Sequence, residues 1–197
     1  MLRAALLFLL VAVVLSAGVA GCCVFTCRPL PAAPCEIETL LVQETVLPEG
    51  WEESGPPRSA DAAARFGIEK IGTGFSTPRH GVAIQAVYRA RNTGAAASGY
   101  QDFMSYFSLR EEETEWFLPS ELTYDTTADR FRLGCSAERT SGVERCQLIA
   151  QYGVYLLRFH IYMSPEMMTY DDLEHILQDI ERRMAECLNP QKELLFK

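Results

Sequence analysis

The sequence predicts an α+β domain, an antiparallel β-sheet with a meander at 130–162 and helices at about 95–109 and 166–188 packed on it. Three observations carry this reading. Val82 to Arg89 alternates its side chains at period two. Arg130 to Glu138, Glu144 to Gln151 and Val154 to Tyr162 read as three consecutive strands separated by short turns, which makes the meander. Two segments, one before the meander and one after it, place apolar residues at helical spacing.

The chain opens with Met1-Leu2-Arg3, an apolar run from Ala4 to Leu15, and the small residues Ser16 to Gly21. Charge, apolar core and small residues in that order are the layout of a secretory signal. Val19-Ala20-Gly21-Cys22 resembles the bacterial lipobox, in which a branched apolar residue and two small ones precede a cysteine. The resemblance implies cleavage after Gly21, diacylglycerol on the Cys22 thiol and acylation of the new amino group. It also implies a membrane partner held through the lipid, on the extracytoplasmic face of a bacterial membrane. The alternative is an uncleaved signal anchor with Cys22 and Cys23 as ordinary thiols. The expected organisation is therefore a signal at 1–21, a Pro/Cys-rich spacer at 22–35, a single domain at 36–189 and a tail at 190–197.

Removing Arg3 with the signal takes the 18 basic residues to 17, against the same 26 acidic ones, so the net charge moves from −8 to −9. A surface that acidic argues against nucleic acid as a partner and against electrostatic adhesion to anionic lipid. With Cys22 lipidated, six of the seven cysteines remain, an even number suited to disulfides in an oxidising compartment. Cys23 and Cys27 lack the histidine or second close cysteine pair that a zinc site needs, so no metal and no cofactor is expected. A local disulfide, further acylation or a bond to Cys35 remain open for them.

Within the domain, Glu36 to Leu47 is rich in Ile, Leu, Val and Thr and reads as the first strand. Pro48 to Trp51 is a turn followed by an aromatic, Glu52 to Ser59 a loop, and Ala60 to Phe66 one or two helical turns. Ile68 to Ser76 is a short strand weakened by Gly72 and Gly74. On the Val82–Arg89 strand, Val82, Ile84, Ala86 and Tyr88 share one face, with Gln85 and Arg89 on the other. In the first helix Ala96, Tyr100, Phe103, Met104 and Phe107 form one apolar stripe, ordinary packing spacing. Glu111 to Glu115 is a solvated acidic run. Trp116 to Leu118 and Leu122 to Tyr124 are brief extended pieces.

A two-residue loop at Thr140-Ser141 pairs residues 139 and 142 and, further down the hairpin, Cys135 and Cys146. Directly opposed on one face, these two cysteines can form a disulfide closing a loop worth about 3 kcal/mol. The last helix begins near Ser164-Pro165-Glu166 and Thr169…Asp172, a capping-box pattern. Leu173, Ile176, Leu177, Ile180, Met184, Cys187 and Leu188 make its apolar stripe, with Asp179, Glu181, Arg182 and Arg183 largely outside it. Cys187 on the buried side is placed to bridge back to Cys35.

The order strand, helix, meander with a cysteine-bridged hairpin, and long last helix resembles PsbP/Mog1-like domains and the extracellular sensor domains of mycobacterial Ser/Thr kinases. The resemblance covers most of 36–188 and implies a module that binds partners or small ligands without catalysis. It transfers no functional residues. His80, His160 and His175 fall in a strand approach, a strand and a helix, with no nucleophile elbow, HExxH or phosphate loop beside them. The expected function is a non-catalytic binding or sensing module for a small ligand or an envelope protein, the alternatives being a structural envelope lipoprotein or a hydrolase without a recognisable motif. Trp51, Trp116 and Tyr124 are the candidates for lining a ligand cleft.

Overall fold

The computed structural model describes residues 34–60, 69–78, 81–108, 115–139, 141–163 and 166–189, all within the unit Ala33–Lys197. The lipobox with Cys22, most of the spacer, most of the helix expected at Ala60 to Phe66, most of the acidic run, His80 and the tail lie outside these residues.

The described chain is α+β. Seven strands, β1 (Glu52–Glu53), β2 (Arg58–Ala60), β3 (Glu69–Ser76), β4 (Val82–Arg89), β5 (Arg130–Ala137), β6 (Glu144–Tyr152) and β7 (Tyr155–Met163), form one antiparallel sheet. Its order is β1-β3-β4-β7-β6-β5, with β2 also paired to β3. Two α-helices, α1 (Thr93–Phe103) and α2 (Tyr170–Leu188), pack on it, α1 continuing as a 3-10 turn over Met104–Phe107. Each helix begins where a side chain satisfies a free amide. Asn92 accepts from the Ala95 N–H at 2.8 Å, and Thr169 with Asp172 forms the expected capping box.

The helices take opposite faces. The first face, with Leu148, Leu157, Phe159 and Ile161, meets α2 through Leu173, Ile176, Leu177 and Ile180 in the main core. The second face offers Ile149 and Leu156 to the α1 stripe of Ala96, Tyr100, Phe103 and Phe107.

Residues 36–47 depart from the expected strand. They form two 3-10 turns, Ile37–Leu40 and Glu44–Val46, outside the sheet. Ile37, Leu40, Leu41 and Val42 are nonetheless buried in the main core. Backbone entering an apolar core needs hydrogen-bond partners. Gln85, fully buried on β4, supplies them: its Oε1 accepts from the Val42 N–H at 2.6 Å and its Nε2 donates to the Leu40 carbonyl at 3.1 Å. Burial on β4 thus follows that amide. Gln85 and Val87 are inside, whereas Ile84 on the apolar row is 40% exposed.

The 52–59 loop contains β1 and part of β2, and Leu122 to Tyr124 carries no strand. Asp179 is buried, held by Arg182 and by Arg183 Nε at 2.6 Å, while Arg183 also donates to the Thr39 carbonyl at 3.3 Å. A hydrogen bond from this ion-paired arginine thereby fastens α2 to the first 3-10 turn. The β5–β6 loop spans four residues, Arg139 to Gly142, because Glu138 N–H bonds Val143 O at 2.8 Å and Gly142 turns at φ 69°. Four and two share parity, so the register stands at Cys135 opposite Cys146.

Replacing Gln85 with Leu leaves Val42 N–H and Leu40 C=O without partners in the core. The expected loss is about 2–4 kcal/mol, read from the urea midpoint; a loss below about 0.5 kcal/mol would show that water reaches these groups.

Candidate binding face

The sequence-derived site residues fall in separate places. Cys135 and Cys146 are joined, with Cα atoms 4.0 Å apart. Cys135 directs its own N–H and C=O outward to Phe117, at 2.8 and 2.9 Å, so its pairing with Cys146 is of the non-hydrogen-bonded kind that brings side chains closest. Cys35 and Cys187 form a second disulfide, Cα atoms 5.4 Å apart, tying the start of the domain to the end of α2. Glu144 lies near the Cys135–Cys146 sulfurs, but sulfurs joined in a disulfide offer no thiolate to a metal.

Trp51, Trp116 and Tyr124 share no cleft. Trp51 is buried in the main core beneath Gly81, its indole N–H donating to the Met167 carbonyl at 3.2 Å. Trp116 packs on the second face, 4.7 Å from the Phe107 ring, with the Arg145 guanidinium 4.7 Å from its own ring. Tyr124 belongs to the first face. Its hydroxyl lies 3.1 Å from that of Tyr152 and donates to Glu181 at 3.4 Å.

Glu181, on the half-buried flank of α2, is the hub of a cluster that spacing gave no reason to single out. Its carboxylate accepts from Thr127 N–H and Oγ1, both at 2.6 Å, from Tyr152 at 2.7 Å and from Thr126 at 2.9 Å. Burial alone would raise its pKa. The Thr127 hydroxyl and amide, then Tyr152 and Thr126, outweigh that and hold the carboxyl below its ordinary value. Burial pushes the Tyr152 phenol up, and neighbouring Tyr124 and Glu181 add to it. With no phenolate at neutral pH, the cluster is a latch that fastens the strand-free 122–128 segment to α2.

The open surface is on the second face. The α1 turn covers only part of the sheet, and arginines clamp its end. Arg158 lies 3.7 Å from the Tyr106 ring centroid, Arg132 lies 4.6 Å from that of Phe107, and Arg145 donates to the carbonyls of Tyr106 and Ser108 at 3.4 and 3.2 Å. Beyond this wall, among the described residues, β3, β4 and β7 show Gly72, Gly74, Ile84, Tyr88 and Arg158. The nearest atoms that a Cβ on Gly72 or Gly74 would meet belong to β4, so the floor there is low. Ile84 is 40% exposed in an internal strand, and Tyr106 is 41% exposed at the wall. Lys70 sits with its Nζ 5.4 Å from the Tyr88 ring. Burial and the Tyr106 phenol raise the Tyr88 pKa against the opposing pull of Arg158, so Tyr88 stays a neutral hydrogen-bonding group.

No family model and no curated protein matches the sequence. In structure, the chain is similar to the extracellular domain of PknH from Mycobacterium tuberculosis, with a TM-score of 0.57 and 9% identity over 79% of this chain and 98% of that chain. A GTP binding regulator from Thermotoga maritima aligns with a TM-score of 0.39 and 10% identity, over 77% of this chain and 92% of that chain. At 9% identity the first likeness shows the fold, and the second carries no argument.

Glu181→Gln should lower stability by about 2 kcal/mol at neutral pH, since it removes the charge from several hydrogen bonds. Because the folded carboxyl sits below its ordinary value, that contribution is complete above about pH 5 and fades as pH falls through the folded pKa. Urea midpoints of both proteins between pH 3 and pH 7 check this, and a gap that widens on acidification contradicts it.

Proposed function

We propose that this chain is a lipid-anchored, non-catalytic binding or sensing module on the extracytoplasmic face of a bacterial membrane. Acylated Cys22 tethers it, and the 36–189 domain presents the open second face to a small ligand or an envelope protein. The observation that carries the compartment is the pair of disulfides, Cys35–Cys187 and Cys135–Cys146, which suit an oxidising environment. Among the described residues, no helix is long and apolar enough to cross a membrane. The similarity in fold to an extracellular domain supports the same reading. The non-catalytic part rests on the sequence, where no nucleophile is spaced with a base and an orienting group.

A structural role in contact with a partner protein is favoured by one feature, the exposed Phe117, Leu118 and Phe131 along the β5 edge, 39%, 59% and 46% exposed.

The anchor is tested by growing the producing cells with an alkyne-tagged palmitate. The chain should carry the tag and enter the detergent phase on Triton X-114 separation, and Cys22→Ala should carry none. An untagged chain that still begins at Met1 contradicts the lipoprotein reading.

A further inference from the structure

The charge of the second face runs against that of the whole protein. The chain has 26 acidic residues against 18 basic ones. Yet on β3 to β7 the charged residues of this face are Lys70, Arg130, Arg132, Arg145 and Arg158, and none of its strand residues is acidic. Every carboxylate of these five strands, Glu69 and Glu144, belongs to the first face. β2 adds another cation, since Arg58 pairs with Gly72 and so shares the second face. On this face the nearest acidic residue of a described strand, Glu52 of β1, is opposite Ser76 at the far end.

The cations are grouped around a low floor. Arg58, Gly72, Ala86 and Arg158 lie in one row across β2, β3, β4 and β7. Three strand spacings separate the two arginines by about 14 Å at the backbone, and only a glycine and an alanine lie between. Lys70 stands at one side of this depression, two residues along β3 from Gly72, and Ile84 stands at the other. Arg158 is half-buried against Tyr106, and its Nε is buried without a hydrogen-bond partner among the described residues. Three cations around a floor of small residues, none paired to a carboxylate by an ion pair among the described residues, attract an anion. An exposed isoleucine at the rim attracts an apolar group.

We propose that this depression binds an anionic amphiphile, its phosphate or carboxylate held by Arg58, Lys70 and Arg158 and its apolar part laid over Ile84. The proposal deepens the binding-module reading and rests on it. The donors suit such a head group: Arg158 is oriented by its stack on Tyr106, Lys70 offers a mobile ammonium, and Tyr88 offers a neutral hydroxyl between them. The ligand can be a membrane phospholipid or a soluble acyl phosphate or carboxylate, since the recognised chemistry is the same.

The experiment uses the full-length chain in phosphatidylcholine nanodiscs, titrated calorimetrically with octyl phosphate below its micelle concentration. Octyl glucoside serves as the neutral comparison. Octyl phosphate should bind, and octyl glucoside should bind at least about tenfold more weakly. Lys70→Gln with Arg158→Gln should weaken octyl phosphate about tenfold or more. Ile84→Ser, a change at an exposed position, should weaken it about fivefold while leaving inorganic phosphate unchanged. Repeating the titration in nanodiscs containing phosphatidylglycerol separates the sources: competition identifies a membrane head group, and unchanged affinity identifies a soluble ligand. Equal binding of octyl glucoside, or affinities that none of the variants moves, would overturn the proposal. Either result leaves palmitate labelling at Cys22 untouched, so the anchor and the ligand fail separately.

Discussion

The main core depends on one buried amide. Gln85 occupies a position on β4 where an apolar side chain would otherwise pack, and it provides hydrogen bonds that a neighbouring strand would have given to Leu40 and Val42. A buried polar group is tolerated only when satisfied, and the buried backbone of 40–42 has the same need. Each therefore makes the other stable inside. Once that contact exists, Ile37, Leu40, Leu41 and Val42 fill the main core beside α2. Arg183 adds a bond to Thr39 while held by Asp179, and Cys35 reaches Cys187. The first and last segments of the described domain are thus locked by three independent chemistries.

The two faces of the sheet divide the work. The first carries the main core, covered by α2, the 3-10 turns and the Glu181 latch. Among the described residues the second is sealed where α1 lies, and the seal uses arginine against aromatic rings: Arg158 on Tyr106, Arg132 on Phe107, Arg145 on Trp116. Guanidinium groups can pack flat on rings while keeping their charge, so the same side chains that fasten α1 leave a positive surface beside it. That is why an acidic protein can present a basic floor. Net charge governs solubility and long-range attraction, whereas a local site follows the few charges that converge on it.

Much of this architecture was legible in the sequence, and the failures have physical causes. The β4 and meander segments, the α1 stripe and the Thr169–Asp172 cap were legible because each repeats a period or a capping pattern within one element. The hairpin register was legible because the pairing parity survives a change of loop length from two residues to four. Residues 36–47 misled because their composition is that of a strand while the buried backbone at 40 and 42 bonds to a side chain 45 and 43 positions away. Trp51, Trp116 and Tyr124 were chosen for aromatic character alone, and burial scattered them among a core, a clamp and a latch. Arg58, Lys70 and Arg158 gave no signal, since residues on three different strands converge only after β7 inserts beside β4. No window of sequence contains that crossover.

The proposed arrangement is an oxidised, covalently closed domain carried behind a lipidated cysteine. Its most direct test is mass spectrometry of the protein extracted from membranes, digested without reductant. The expected products are an N-terminal peptide beginning at acylated Cys22, a peptide pair linked through Cys35 and Cys187, and another linked through Cys135 and Cys146. A chain that begins at Met1 and shows free thiols at these four positions would contradict it.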